Sequence, residues 1–258
     1  MPEAASNLFI RRHDMLISDG PEFAILRAIC LGANSGSSEF ATQTMDWSLL
    51  RRLSTRHRVD GLMWQQFATQ GTTHRTTQPP VLIRAAFEQS SKELAFAALR
   101  QIRETLQLTA LLEKCGYPVI TLKGCALGQE LYDGRPELRH ANDIDLLVAP
   151  EDFAAVEGVL SAQGYERTTP SGAMPPSADS MARYLSHAYT YTHPAKNLYI
   201  ELHHRPLSDP DCFAVPFADL LGRSRWVTIG NSRVRCLGRE DLFVFLCAHA
   251  AGHAFFRL

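Results

Sequence analysis

At Tyr117 the hydrophobic period of this chain changes, and that change does most to limit what it can fold into. Before it, apolar residues recur at helical spacing; after it, they alternate or gather in short buried runs. A long helical pattern opens at Pro79, carries Ala98, Ile102, Leu106 and Leu112, and stops at Gly116, a natural C-terminal residue. Shorter helices precede it over Pro21–Leu31 and Val59–Gln70. Between these two, Asp46 is a candidate cap for a helix carrying Trp47, Leu49, Leu50 and Leu53. After Tyr117, strands are expected at Val119–Leu122, Asp143–Val148, just beyond Gly164-Tyr165, His187–Thr192 and Asn197–His203. Trp226–Ile229 and Arg233–Leu237 should form a hairpin around Gly230-Asn231-Ser232. Glu151–Gln163 and the stretch from Arg239 onward read as helices. The expected fold class is α/β (α+β), a mixed β-sheet core flanked by helices behind a helical N-terminal region.

The domain reading follows these patterns. Residues 1–20 form a loose arm, 21–116 a helical region, 117–237 the α/β core and 238–258 a C-terminal helix. Residues 32–44 read as a linker, 71–78 as a turn and 170–179 as a loop. The last helix is still apolar at Leu258, which suggests the start of a longer helical region.

With 258 residues, 45% of them hydrophobic, the chain can bury one large core or two smaller ones. A formal net charge of −1 supplies no bulk basic field, so broad nucleic-acid binding is not expected. The six cysteines form no C-x-x-C pair and should be reduced thiols. The N-terminus lacks an apolar leader, and the longest apolar run, Leu242–Ala248, is far too short to span a bilayer. A cytoplasmic chain without membrane association is the expectation.

Chemistry is concentrated between Val119 and Val148. Side chains alternate along a strand, so Asp143 and Asp145 share a face roughly 6–7 Å apart, with Ile144 and Leu146 on the other. Carboxylates at that spacing can converge on divalent ions. In Asn197–His203, Leu198, Ile200 and Leu202 fall on one face and Tyr199, Glu201 and His203 on the other. If that strand lies beside Asp143–Val148, Glu201 becomes a third ligand. Leu122-Lys123-Gly124-Cys125 stands at a strand-to-helix junction, where glycine lets a phosphate approach the backbone and the helix start favours an anion.

Together these residues resemble the nucleotidyltransferase superfamily of the DNA polymerase beta type. The similarity is greatest to a branch with Leu122-Lys123-Gly124, Leu131-Tyr132, Arg139, Asp143-Ile-Asp-Leu-Leu-Val148, Gly164-Tyr165 and Ile200-Glu-Leu-His203. It covers roughly residue 46 to the end. The resemblance implies a mixed sheet backed by helices, with Asp143, Asp145 and Glu201 as catalytic ligands of Mg2+ or Mn2+. It implies nucleotide contacts by Lys123, Gly124, Cys125, Arg139 and His203. The partners would be an NTP, ATP first, and an acceptor of open identity: a small molecule, peptide, sugar or protein. The reaction would be attack of an acceptor hydroxyl on the α-phosphate with loss of pyrophosphate. Cys125 stands where many members of the superfamily have serine.

His249 and His253 lie four apart on a helix, a zinc-capable spacing, but no third ligand is near them in sequence. Helix packing or a contact behind the site is the better reading. His204 points away from His203, and Gly128 has no Rossmann partners around it. An Asp-x-Asp glycosyltransferase leaves Lys123-Gly124 and Glu201 without a role. A phosphohydrolase usually has a smaller residue where Leu147 stands, and a non-catalytic nucleotide-binding regulator would not need three carboxylates.

Overall fold

The structure, a computed structural model, describes residues 20–31, 45–69, 79–168, 186–209 and 211–252. The arm before Gly20, the linker 32–44, the turn 71–78, the loop 170–179 and the end of the last helix, His253 included, lie outside the described residues. The chain divides into two compact units, the first ending at Ala95 and the second running from Phe96 to Phe256.

The first unit holds α1 (Pro21–Cys30), α2 (Trp47–His57), α3 (Asp60–Thr69) and the start of α4 (Val81–Lys114). Asp46 caps α2 as its position suggests: its carboxylate accepts the Leu49 N–H at 2.9 Å, and its own N–H donates to Glu22 at 2.7 Å. Leu26, Leu50, Met63 and Phe87 are fully buried in the core of this unit. Asp60 is buried there as well, held by the Arg51 guanidinium at 2.5 Å and the Ser54 hydroxyl at 2.9 Å.

In the second unit, α4 ends where the sequence places its stop. Gly116 takes a φ of +87°, and the Tyr117 N–H turns back to the Leu112 carbonyl at 2.9 Å. The strands are β1 (Ile120–Thr121), β2 (Ile144–Leu147), β3 (Glu166–Arg167), β4 (Ala188–His193), β5 (Leu198–His203), β6 (Arg225–Ile229) and β7 (Ser232–Cys236). They form one seven-stranded mixed sheet in the order β3-β4-β5-β2-β1-β7-β6. β2 runs parallel to β5 and β1 parallel to β7, while the remaining neighbours are antiparallel. The helices are α5 (Gly124–Leu131), α6 (Phe153–Ala162), α7 (Phe217–Arg223) and α8 (Arg239–Gly252), with a 3-10 turn at Pro136–Leu138.

Alternation along β2 and β5 divides the packing. Ile144, Leu146, Ile200 and Leu202 join Leu108 and Leu112 of α4 and Phe153, Val156 and Leu160 of α6 in one core. Leu147, on the Asp145 side of β2, joins Ile120, Leu122, Leu237 and Phe245 in another. The burial of apolar side chains on both sides of β2 fixes its register, because a one-residue slip would bury Asp145 among hydrocarbons.

Two local expectations need correction. The first strand is only Ile120–Thr121, because the chain turns into α5 directly after Lys123. The hairpin turn is the pair Gly230-Asn231, since Ile229 pairs with Ser232; the positive φ of Gly230 (+59°) makes the bend and leaves Ser232 in the strand. The helix α7, opened by Pro216, lies outside the expected elements: Phe217, Leu220 and Leu221 fall at helical spacing, but over only seven residues, too short for the period to stand out.

Candidate active site

The pairing of β2 with β5 sets the arrangement. Asp145 stands directly opposite Glu201, and Leu147 opposite His203, in parallel register. Asp145, Glu201 and His203 each offer a ligand atom, and these atoms lie within 4.8 Å of one another. His203 Nε2 is 3.4 Å from Asp145 Oδ1 and 3.6 Å from Glu201 Oε2. Asp143, one residue before β2, is half-buried and falls outside this group, but it lines the adjoining cleft together with Asp145.

β1 brings Lys123 to the same point. The Leu122 N–H donates to the Asp145 carbonyl at 3.2 Å, so the next residue emerges beside the carboxylate, and Lys123 Nζ lies 3.1 Å from Asp145 Oδ1. α5 then begins at Gly124, whose φ is +67°. A Cβ there would meet nothing within 4 Å, so the space over the first turn of α5 is open. Cys125 also lines the cleft, but its side chain is buried and packs with Ile102, Val227 and Cys236. Burial pushes the thiol up to about 11, which leaves the Cys125 backbone as its contribution to any anion.

Arg139 also lines the cleft, and among the described residues it makes no ion pair. Its location depends on Gly128. A Cβ on that glycine would fall 2.9 Å from the Pro136 carbonyl oxygen and 3.1 Å from Arg139 Cβ. α5 and the Pro136–Arg139 turn can approach so closely because the side chain is absent. The remaining wall is α4, through Ala98, Gln101, Ile102 and Thr105. The cleft encloses only about 20 Å³, room for about one water molecule, so a nucleotide has to lie across its mouth or open it.

The carboxyl groups differ in affinity for protons. Burial alone would raise Asp145, but the contacts with His203 and Lys123 outweigh it and hold the group at about 2. Asp143 is raised, first by burial and then by the charge of Asp145, with Lys123 and Arg139 opposing. Glu201 is lowered, chiefly by His203. Burial disfavours the charged form of His203, yet Asp145 and Glu201 raise it above the ordinary histidine value. His187, its ring 5.3 Å from that of His203, is pushed down to about 4 by burial and by the His203 charge.

Of the residues singled out by sequence, Lys123, Gly124, Cys125, Arg139, Asp143, Asp145, Glu201 and His203 therefore gather around the Asp145 face of β2 and β5 and the cleft beside it. His204 instead meets the Phe153 ring edge-on, and His249 stacks on Phe245, 5.7 Å between centroids. His187, Gly128, Gln101 and Thr105 are neighbours of the site that sequence reasoning missed. His187 alone carried a signal, its position in an alternating strand pattern.

No curated protein and no solved structure matches the chain. Among the described residues no helix is long and apolar enough to cross a membrane. A family model described as an uncharacterised nucleotidyltransferase matches residues 43–258. That match spans both halves of the chain, from the helices before the cleft through the strands that carry Asp145 and Glu201, and the chain belongs to this nucleotidyltransferase family.

Proposed function

We propose that the protein is a divalent-metal-dependent enzyme that moves a nucleoside monophosphate from an NTP, ATP first, to an acceptor hydroxyl. The observation that carries this reading is the register Asp145↔Glu201 between parallel strands, with His203 against both carboxylates. The donor set fits a divalent cation. Asp145 Oδ1 and both ring nitrogens of His203 are buried without an aligned hydrogen bond. Buried polar atoms left so are costly unless a further partner completes them. Two carboxylates with one imidazole suit Mn2+ and, through the oxygens, Mg2+. Asp145 and Glu201 would hold the ion, with Asp143 a further ligand from the cleft side. When bound, it would offset charge on the reacting phosphate and favour ionisation of the acceptor hydroxyl.

The chain's own groups account for the rest. Lys123 and Arg139 bring positive charge to the triphosphate, and the open space at Gly124 leaves the first N–H groups of α5 accessible to a phosphate oxygen. A bound phosphate competes with Asp145 for the Lys123 ammonium. A bond forms between the acceptor oxygen and the α-phosphorus while the bond to the bridging oxygen breaks. Pyrophosphate leaves, and Glu201, half-exposed and ionised, takes up the hydroxyl proton.

The test is release of pyrophosphate from each NTP with Mg2+ or Mn2+ across a panel of hydroxyl acceptors, for wild type and Asp145→Asn. We expect metal-dependent release that falls by roughly a thousandfold in the variant. Release that is indifferent to Asp145→Asn would refute the reading.

A further inference from the structure

Two elements that wall the cleft, α4 and the β1 segment, also wall a second and larger cavity through different residues. Thr105 of α4 and Thr121 of β1 line the cleft. Thr109, one turn further along α4, and Val119, two residues back on the β1 side, line a groove of about 460 Å³ whose other wall is the β6–β7 hairpin. That volume suits a small organic molecule. On the hairpin, the guanidinium carbons of Arg233 and Arg235 lie 4.4 and 4.3 Å from the centroid of the Trp226 ring. Arg235 is already engaged: it donates to Glu113 at 3.2 Å and to the Ser224 hydroxyl at 3.3 Å. Arg233 is exposed and stacks on the Trp226 ring, while Glu113, the carboxylate that also lines the groove, is held by Arg235. The groove thus combines an apolar floor at Leu106 and Val119 with one ring-supported guanidinium at its rim.

We propose that this groove binds a small organic anion, a phosphate or carboxylate joined to an apolar body. Arg233 takes the anionic group, and the Leu106–Val119 floor takes the body. Resting on the nucleotidyltransferase reading, the groove is where the acceptor sits: α4 and the β1 segment lead from Thr109 and Val119 to Thr105 and Thr121 at the cleft. The acceptor is then an anionic molecule that carries a hydroxyl, rather than a neutral sugar or a basic peptide.

Calorimetric titration of the full chain with phenyl phosphate and with benzoate tests this. Wild type should bind at least one probe, and which one binds identifies the anion. Arg233→Ala should weaken that binding by roughly ten- to a hundredfold, the loss of a charged hydrogen-bonding partner, and Arg233→Lys should restore part of it. Lys123→Ala, which alters the cleft, should leave probe binding in place. Absence of binding to wild type, binding indifferent to Arg233→Ala, or binding abolished by Lys123→Ala would each overturn the proposal. Failure of metal-dependent NTP binding would remove the acceptor role yet leave probe binding at Arg233 intact, so the two failures are separately visible.

Discussion

Cys125 illustrates how a side chain beside the chemistry can serve the fold instead. Its thiol is raised from 9.0 to about 11, first by burial, so the folded chain holds this proton more tightly than the unfolded chain. The sign follows: its contribution to stability is complete below pH 9 and is lost as pH rises toward 11, because the unfolded chain ionises first. A rise of that size is worth about 3 kcal/mol in full, of which about 2 kcal/mol is lost by pH 11. In urea unfolding between pH 8 and 11, the stability advantage of wild type over Cys125→Ala should shrink by about 2 kcal/mol. An advantage independent of pH would contradict the account. Asp145 and Glu201 show the opposite balance, since both are kept ionised by neighbours, and the pair is legible in sequence because each is a carboxylate in an alternating apolar strand. The contribution of His203 was half legible. Alternation assigns it to the Glu201 face, but only the pairing of β2 with β5 brings it within 3.4 Å of Asp145.

At the scale of elements, the approach of α5 to the Pro136 turn carries Arg139 to the cleft. Gly128→Ala would force backbone atoms apart, because the new Cβ meets a carbonyl oxygen at 2.9 Å. We expect a loss of about 1–3 kcal/mol in thermal or urea unfolding, with weaker NTP binding as Arg139 shifts. Gly158 in α6 is the internal control, for a Cβ there meets nothing within 4 Å. Gly158→Ala should stabilise by about 0.5–1 kcal/mol, the ordinary helical gain. A second junction ties α4 to the β3-β4-β5 edge of the sheet. Buried Glu104 accepts from the Tyr165 hydroxyl at 3.0 Å and from Lys196 at 2.6 Å. Glu104→Ala should cost about 1–3 kcal/mol in the same unfolding measurements.

These junctions mark the limit of what sequence reveals. Period, caps and glycine stops are local, so α2, the end of α4 and the β5 alternation could be read directly. Gly128 could not, because its meaning depends on Pro136 and Arg139 folding back upon it. The α4 wall of the cleft was equally silent: Gln101 and Thr105 look like ordinary polar residues of a long helix until the sheet is beside them.

On the scale of the molecule, a net charge of −1 conceals cations set against carboxylates, Asp143 and Asp145 at the cleft and Glu113 at the groove. Lys123 and Arg139 stand at the cleft, with Arg233 and Arg235 at the neighbouring groove. Every residue assigned here to the site falls in the second compact unit. Weakening the first unit should therefore leave the chemistry alone. Asp46→Ala removes the α2 cap and should cost about 1 kcal/mol in unfolding, with metal-dependent NTP affinity unchanged.

The central claim, that Asp145 and its neighbours hold metal and nucleotide together, is tested most directly by titrating a fluorescent ATP analogue. The titration is run in Mg2+ or Mn2+ and again with excess EDTA, for wild type and Asp145→Asn. The account predicts saturable binding by wild type that EDTA abolishes and that Asp145→Asn weakens by roughly tenfold or more. Absence of metal-dependent binding by wild type, or equal binding by the variant, would contradict it.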